Sequence, residues 1–348
     1  MAYTTIDKGS KYFNTVLYTG NGVGGTNITG VGFQPDLVWI KRRSATEFHV
    51  WNDAVRGVPK NIYSNSTNSE DSGNLMSAII SDGFTVQTDG SVNFSGSTYV
   101  AWNWLGANTT VSNTSGTITS TVSANTTAGF SIVSYTGTGS AATVGHGLGV
   151  APKIVIIKNR NSATNWSFYS KALVDRTGNS ASTLVLNNAA ADGFDASYFN
   201  STAPTSTVFS IGSNSGVTGS GNSIISYCFA EIKGYSKFGS YTGNGSTDGT
   251  FVYTGFKPAY VMIKNSSSGV EEWGIWDSKR DTYNLASKRL VANIDAAENS
   301  ADYLDFVSNG FKIRTAAAGL NGSGNTLIYM AFAENPFVTS GGIPVTAR

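Results

Sequence analysis

The sequence predicts an all-β protein made of three tandem β-sandwich-like units of jelly-roll or lectin-like character. Two observations carry this. The first is composition: 40 of 348 residues are glycine, 12% are aromatic and only 13% are charged. Average chains carry about 7% glycine and roughly 25% charged residues. Aromatics, threonine and glycine without charge read as short strands joined by tight turns, and the aromatics exclude a disordered chain. The second is a repeat. Tyr-Thr-Gly-x-Gly occurs at Tyr18–Gly22, Tyr135–Gly139 and Tyr241–Gly245, and internal repetition of this length marks an array of one structural unit.

Each element of the unit follows from that marker. Pro35, Pro152 and Pro258 stand at one fixed spacing after the three tyrosines, and Lys41, Lys158 and Lys264 at one fixed spacing after the prolines. Proline cannot donate to a ladder and is tolerated at a strand's first residues. The runs that follow are Leu37-Val38-Trp39-Ile40, Ile154-Val155-Ile156-Ile157 and Tyr260-Val261-Met262-Ile263. They lack polar alternation, which predicts strands buried on both faces. Asp82-Gly83-Phe84, Asp192-Gly193-Phe194 and Asn309-Gly310-Phe311 read as one later element, the Asn-Gly and Asp-Gly pairs suiting hairpin turns. The closing strands align Ala101, Cys228 and Ala331 at one small position before an aromatic, so Cys228 reads as a buried small residue.

The predicted organisation is unit one over 1–107, a Ser/Thr/Asn-rich linker over 108–127, unit two over 128–233, unit three over 234–338 and a tail over 339–348. The linker composition predicts a flexible or extended spacer. The opening residues lack an apolar stretch behind a basic start, and no apolar run nears the roughly 20 residues of a membrane helix, so neither a secretory signal nor membrane insertion is expected. With a net charge of +1, bulk charge does not point to nucleic acid. One cysteine and two histidines exclude a disulfide framework and argue against a Cys/His metal site.

Several motifs invite chemistry. Gly20-Asn21-Gly22-Val23-Gly24-Gly25 matches G-x-G-x-x-G, but no helix signal follows, and a hairpin turn is the simpler reading. His49, in a strand-like segment, and His146, in a loop, do not recur in the other units and point to no Ser-His-Asp set. A glycosidase would need two carboxylates about 5–10 Å apart. Asp53, Asp175 and Asp277 each precede a basic residue, Arg56, Arg176 and Arg280, and a structural ion pair bracketing a turn explains them more simply. Lys41-Arg42-Arg43 reads as a solvated strand end. The candidate glycan- or partner-binding set is Trp51, Asp53, Trp102, Trp104, Trp273, Trp276 and Asp277, because aromatic faces beside carboxylates are how a β-sandwich holds a sugar. Alternation assigns Trp102 and Trp104 to opposite faces, and likewise Trp273 and Trp276. Core packing is the competing reading. No catalytic residue, cofactor or metal is expected.

The N-terminal stretch from Met1 to Gly22, with Gly32-Phe33-Gln34-Pro35-Asp36-Leu37-Val38-Trp39-Ile40-Lys41 after it, resembles a family of tailed-phage virion proteins of marine and cyanobacterial phages. The resemblance runs from residue 3 to about 337. It implies a virion protein, made in the host cytoplasm, that acts without catalysis as a tail fibre, collar or neck fibre or capsid decoration. Its partners would be other virion proteins and copies of itself, a homotrimer by the symmetry of virion sites. The alternatives are a carbohydrate-binding adhesin that meets host surface glycans and, behind it, a polysaccharide depolymerase. The resemblance carries over no binding residues.

Overall fold

A computed structural model describes residues 3–344. It is almost wholly antiparallel β-structure, with only single-turn helices apart from Lys171–Thr177. In each unit the opening strand, which ends in the Tyr-Thr marker (Phe13–Thr19, Phe130–Thr136, Ser236–Thr242), pairs with the closing strand (Thr98–Trp104, Ser223–Phe229, Thr326–Pro336). The closing strand pairs in turn with the Pro-led strand (Leu37–Arg42, Ile154–Asn159, Phe256–Asn265).

The marker is explained by what it docks on. Each tyrosine hydroxyl donates to a carbonyl of the one-turn helix before the closing strand: Tyr18 to Val92 at 2.7 Å, Tyr135 to Val217 at 2.6 Å and Tyr241 to Leu320 at 2.7 Å. The first glycine admits the close approach of that turn. A Cβ on Gly20, Gly137 or Gly243 would lie 2.2–2.4 Å from a carbonyl oxygen of that turn or of the residue after it. The second glycine (Gly22, Gly139, Gly245) has φ between 70° and 78°, the left-handed region that glycine enters without strain. The Gly20–Gly25 segment is therefore a turn, followed by the strand Thr26–Thr29 rather than a helix.

The Pro-led runs are buried on both faces, as their composition predicts. In unit one, Val38, Ile40, Val50 and Phe84 lie inside the unit's own sandwich. Leu37, Trp39, Trp51, Trp102 and Trp104 face the other way, into a second core shared by all three units. The sheet face that would be wet in a lone sandwich is thus the centre of the molecule. Trp104, Phe229 and Phe332 occupy equivalent positions and touch in a triangle, with ring centroids 6.3, 5.7 and 5.9 Å apart. They mark a pseudo-threefold axis.

Four sequence expectations are corrected. Residues 108–127 are not a free spacer, because Val111–Asn113 and Ser120–Asn125 form strands, the second along the edge of unit two's opening strand. The closing strands register by their pairing with the marker tyrosines, Tyr18 with Tyr99, Tyr135 with Ile224 and Tyr241 with Leu327. That places Asn103, not Ala101, beside Cys228 and Ala331. Trp102 and Trp104, two residues apart on one strand, share a face, as a period of two requires. Asp192-Gly193-Phe194 is not the counterpart of the other two Gly-Phe elements. Phe84 and Phe311 are buried opposite Ile28 and Val252, while Phe209, opposite Val144, does that work in unit two and Phe194 is 61% exposed.

Candidate functional site

The chemistry-bearing side chains gather at the three seams between units, and the seams repeat one pattern in a cycle. Burial pulls each repeated lysine down to about 8, and each donates across a seam. Lys158 reaches Thr67 O of unit one at 2.8 Å, Lys264 reaches Ala189 O of unit two at 2.9 Å, and Lys41 reaches Asp295 O of unit three at 2.9 Å. Backbone bonds close the same cycle: Glu70 N to Arg160 O, Asp192 N to Ser266 O and Glu298 N to Arg43 O. A head-to-tail contact used three times with closure gives a ring with no open end.

An indole sits beside two of these lysines. Trp166 Nε1 donates to Tyr63 O and Ser66 O, and Trp273 Nε1 to Val185 O and Asn188 O. The third position is His49: Ser64 N bonds His49 O as Leu186 N bonds Trp166 O and Ala292 N bonds Trp273 O. His49 Nδ1 accepts from Trp39 Nε1 at 2.9 Å, which fixes the proton on Nε2. That nitrogen faces the backbone of Val291 without reaching hydrogen-bonding geometry. Burial first, then Lys41 and Arg280, hold the ring well below its usual pKa. His146 is also buried and also lowered by burial, its Nε2 lying 3.1 Å from Thr205 O.

The carboxylates split by unit. Asp53 and Arg56 form a buried pair at 2.5 Å, and Asp53 accepts from Tyr227 of unit two at 2.7 Å. Asp277 and Arg280 do the same at 2.5 Å, and Asp277 accepts from Trp102 of unit one at 3.0 Å. Asp175 is no counterpart. It lies on the exposed face of the helix Lys171–Thr177 and pairs with Lys171, while Arg176 pairs with Asp192. By strand register the equivalent of Asp53 is Ser170, opposite Ile154 as Asp53 is opposite Leu37. The basic run is not solvated either. Lys41 is buried, Arg42 lies over Phe94 and Arg43 makes a two-pronged pair with Glu298 at 2.9 and 2.8 Å.

Trp51, Asp53, Trp102, Trp104, Trp273, Trp276 and Asp277 are all within 2% of complete burial. None offers a face to a sugar. Trp51 packs on Trp166 and Tyr227 across a seam, and Trp273 on Phe168. Trp276 points into its own unit against Tyr303, so Trp273 and Trp276 do occupy opposite faces. Of the two readings the sequence offered for these residues, packing within and between units describes them and the sugar-binding surface does not. Burial also pushes the Cys228 thiol well up, away from reactivity.

Among the described residues no group of three or more His, Cys, Asp or Glu is placed to hold a metal ion, and no helix is long and apolar enough to cross a membrane. The surface offers shallow clefts. One of about 220 Å³ lies between the opening strand of unit one and the closing strand of unit three.

The fold and its buried polar network define a class: a closed, pseudo-threefold ring of β-sandwich units that share one core. Residues 8–336 match the family described as a domain of unknown function, DUF7483, and the chain belongs to that family. The match crosses all three units as one domain, as a ring with a common core requires. No curated protein matches the chain.

Proposed function

We propose that the chain is a non-enzymatic structural protein of a tailed-phage virion, serving particle assembly and host attachment as a tail fibre, collar or neck fibre or capsid decoration. The observation that carries this reading is the fate of the repeated residues. The marker tyrosines, the paired glycines and the lysines all hold the units together or shape their turns. The sequence resemblance supports the setting. One chain already has the threefold form expected of a homotrimer, so the proposal is that a single ring meets other virion proteins. Immunogold labelling of purified particles with antibody against the chain tests it. Labels at one fixed position are expected, and absence of the chain from purified particles refutes it. Sedimentation of the pure chain at 36.5 kDa is expected for a ring acting singly.

A second reading, a carbohydrate-binding adhesin, rests on unit three. Phe251 and Tyr253 project from one face of an outer strand, 46% and 54% exposed, and Lys312 is paired opposite Phe251. Exposed rings beside charged groups suit stacking on a saccharide. A glycan array probed with the chain and with Tyr253→Ala tests this, and equal signals from both would sink it.

A further inference from the structure

The threefold cycle leaves one position open. At the seam of units one and two, Ser120–Asn125 runs antiparallel to Phe130–Thr136, with Ser123 opposite Ile132 and Asn125 opposite Phe130. Its side chains plug the seam: Ser123 bonds Asp36 at 3.1 Å, and Asn125 reaches the carbonyls of Leu105 and Gly106. At the seam of units two and three, the equivalent space is bridged by Glu231 with Lys153 and Lys237, at 2.8 and 2.9 Å. The backbone bonds Ala54 N to Asp36 O, Lys171 N to Lys153 O and Ser278 N to Ala259 O establish the equivalence.

At the third seam neither device is present. Ala259 stands where Asp36 and Lys153 stand, and the space is the 220 Å³ cleft bounded by Phe13, Asn14 and Thr15. Among the described residues the edge of Phe13–Thr19 beside it has no neighbouring strand; that of Ser236–Thr242 has none either, but there the Glu231 bridge to Lys153 and Lys237 fills the space. Asn14 guards the edge of Phe13–Thr19: its side-chain oxygen accepts from Thr15 N at 3.0 Å, and its amide nitrogen donates to Val31 O at 2.9 Å. Such an edge is a template for another strand. Two lysines at the cleft, Lys8 and Lys279, are exposed and make no ion pair with a described residue, while Glu334, the carboxylate that also lines it, pairs with Lys257 at 3.6 Å.

We propose that this cleft receives an extended acidic segment of a partner protein. The segment adds antiparallel to Phe13–Thr19 as Ser120–Asn125 adds to its neighbour, and its carboxylates meet Lys8 and Lys279. It displaces the Asn14 amide and supplies the Thr15 N–H with a carbonyl instead.

The probe is a fluorescent peptide copying residues 119–126 with Ser123→Asp and Asn125→Asp, titrated into the full chain. The control peptide carries lysine at those two positions. The acidic peptide is expected to bind at least about ten-fold tighter than the control. The exposed-site variant Lys8→Glu/Lys279→Glu is expected to reverse that order. Hydrogen exchange with the acidic peptide bound is expected to protect the amides of Phe13–Thr19 and not those of Ser236–Thr242. Equal binding of the two peptides, an unchanged preference in the charge-reversed chain, or protection elsewhere overturns the proposal. So does concentration-dependent dimerisation that Lys8→Glu/Lys279→Glu abolishes, since the occupant would then be a second copy.

Discussion

Replacing His49 and its neighbour by the pair found in unit two removes one acid-sensitive group from the ring. The variant is Trp39→Ile/His49→Trp, which installs the counterparts of Ile156 and Trp166. In the wild type His49 is fully buried, flanked by Lys41 and Arg280, and held well below its usual pKa. The unfolded chain therefore takes up a proton near pH 6.5 that the folded chain refuses. Stability is complete above that pH and falls as the pH drops towards the folded value. One such proton costs about 2 kcal/mol by pH 5, from roughly 1.4 kcal/mol per unit. His146 shifts in the same direction, and the Asp36 carboxyl, raised by burial, opposes it. Both are present in wild type and variant, so the difference isolates His49. Glu70 and Glu298 have lowered values and act only at more acid pH. Urea midpoints followed by circular dichroism at pH 7, 6 and 5 give the answer. The variant should lose about 2 kcal/mol less than wild type over that range. Equal losses would refute the assignment of an uncharged His49 to the closing seam.

Other perturbations follow from the same seams. Asp53→Ala leaves Arg56 with Glu70, at 3.1 Å, as its one carboxylate and the Tyr227 hydroxyl unpaired, and should cost about 3 kcal/mol by urea unfolding. The triple change Asp53→Ser/Arg56→Leu/Tyr227→Met copies the apolar seam of Ser170, Leu173 and Met330, and should recover more than half of it. The result counts against the pairing if the single and triple variants are equally unstable. Lys158→Met leaves the carbonyls of Thr67 and Thr164 unmatched and should cost about 2 kcal/mol; a neutral outcome would mean the clamp is idle. The three lysines sit at about 8 when folded and near 10.4 when unfolded. The folded chain then binds fewer protons, so urea midpoints should rise from pH 8 to 9.5, and a fall would contradict the shifts. Gly243→Ala sets a Cβ 2.2 Å from the Gly322 carbonyl and should destabilise by about 1–3 kcal/mol, measured by thermal unfolding.

What sequence could and could not convey divides at the seams. The strands, the turn chemistry and the double burial of the Pro-led runs were legible because each is a local pattern. Ser/Thr/Asn composition misled at 108–127. Those residues are polar because Ser120 and Ser123 bond Gly145 O and Asp36, satisfying a buried edge rather than facing water. Five buried tryptophans offered a sugar platform because aromatic-with-carboxylate is the same pattern in a binding site and in a wet sheet face that a neighbour has covered. Period two would have placed Trp102 and Trp104 together. Only the marker-to-closing-strand pairing, a contact over some 80 residues, reveals that Asn103 and Cys228 are equivalent.

Divergence of the three seams has its own consequence. Were they identical, a unit from one chain would complete the ring of another as well as its own, and domain-swapped chains would compete with closed rings. Instead each seam is keyed differently. Unit one meets unit two through Tyr227 and Asp53, and unit three through Trp102 and Asp277, while the junction of units two and three relies on Phe168 against Trp273. A wrong neighbour would bury Asp53 or Asp277 without its donor, at a cost of several kcal/mol. Discrimination of this kind rests on what the wrong pairing loses. The buried charges that looked like chemistry therefore fix the order of units around the axis. They leave the open edge of unit one, beside its cleft against unit three, as the place where another polypeptide would join.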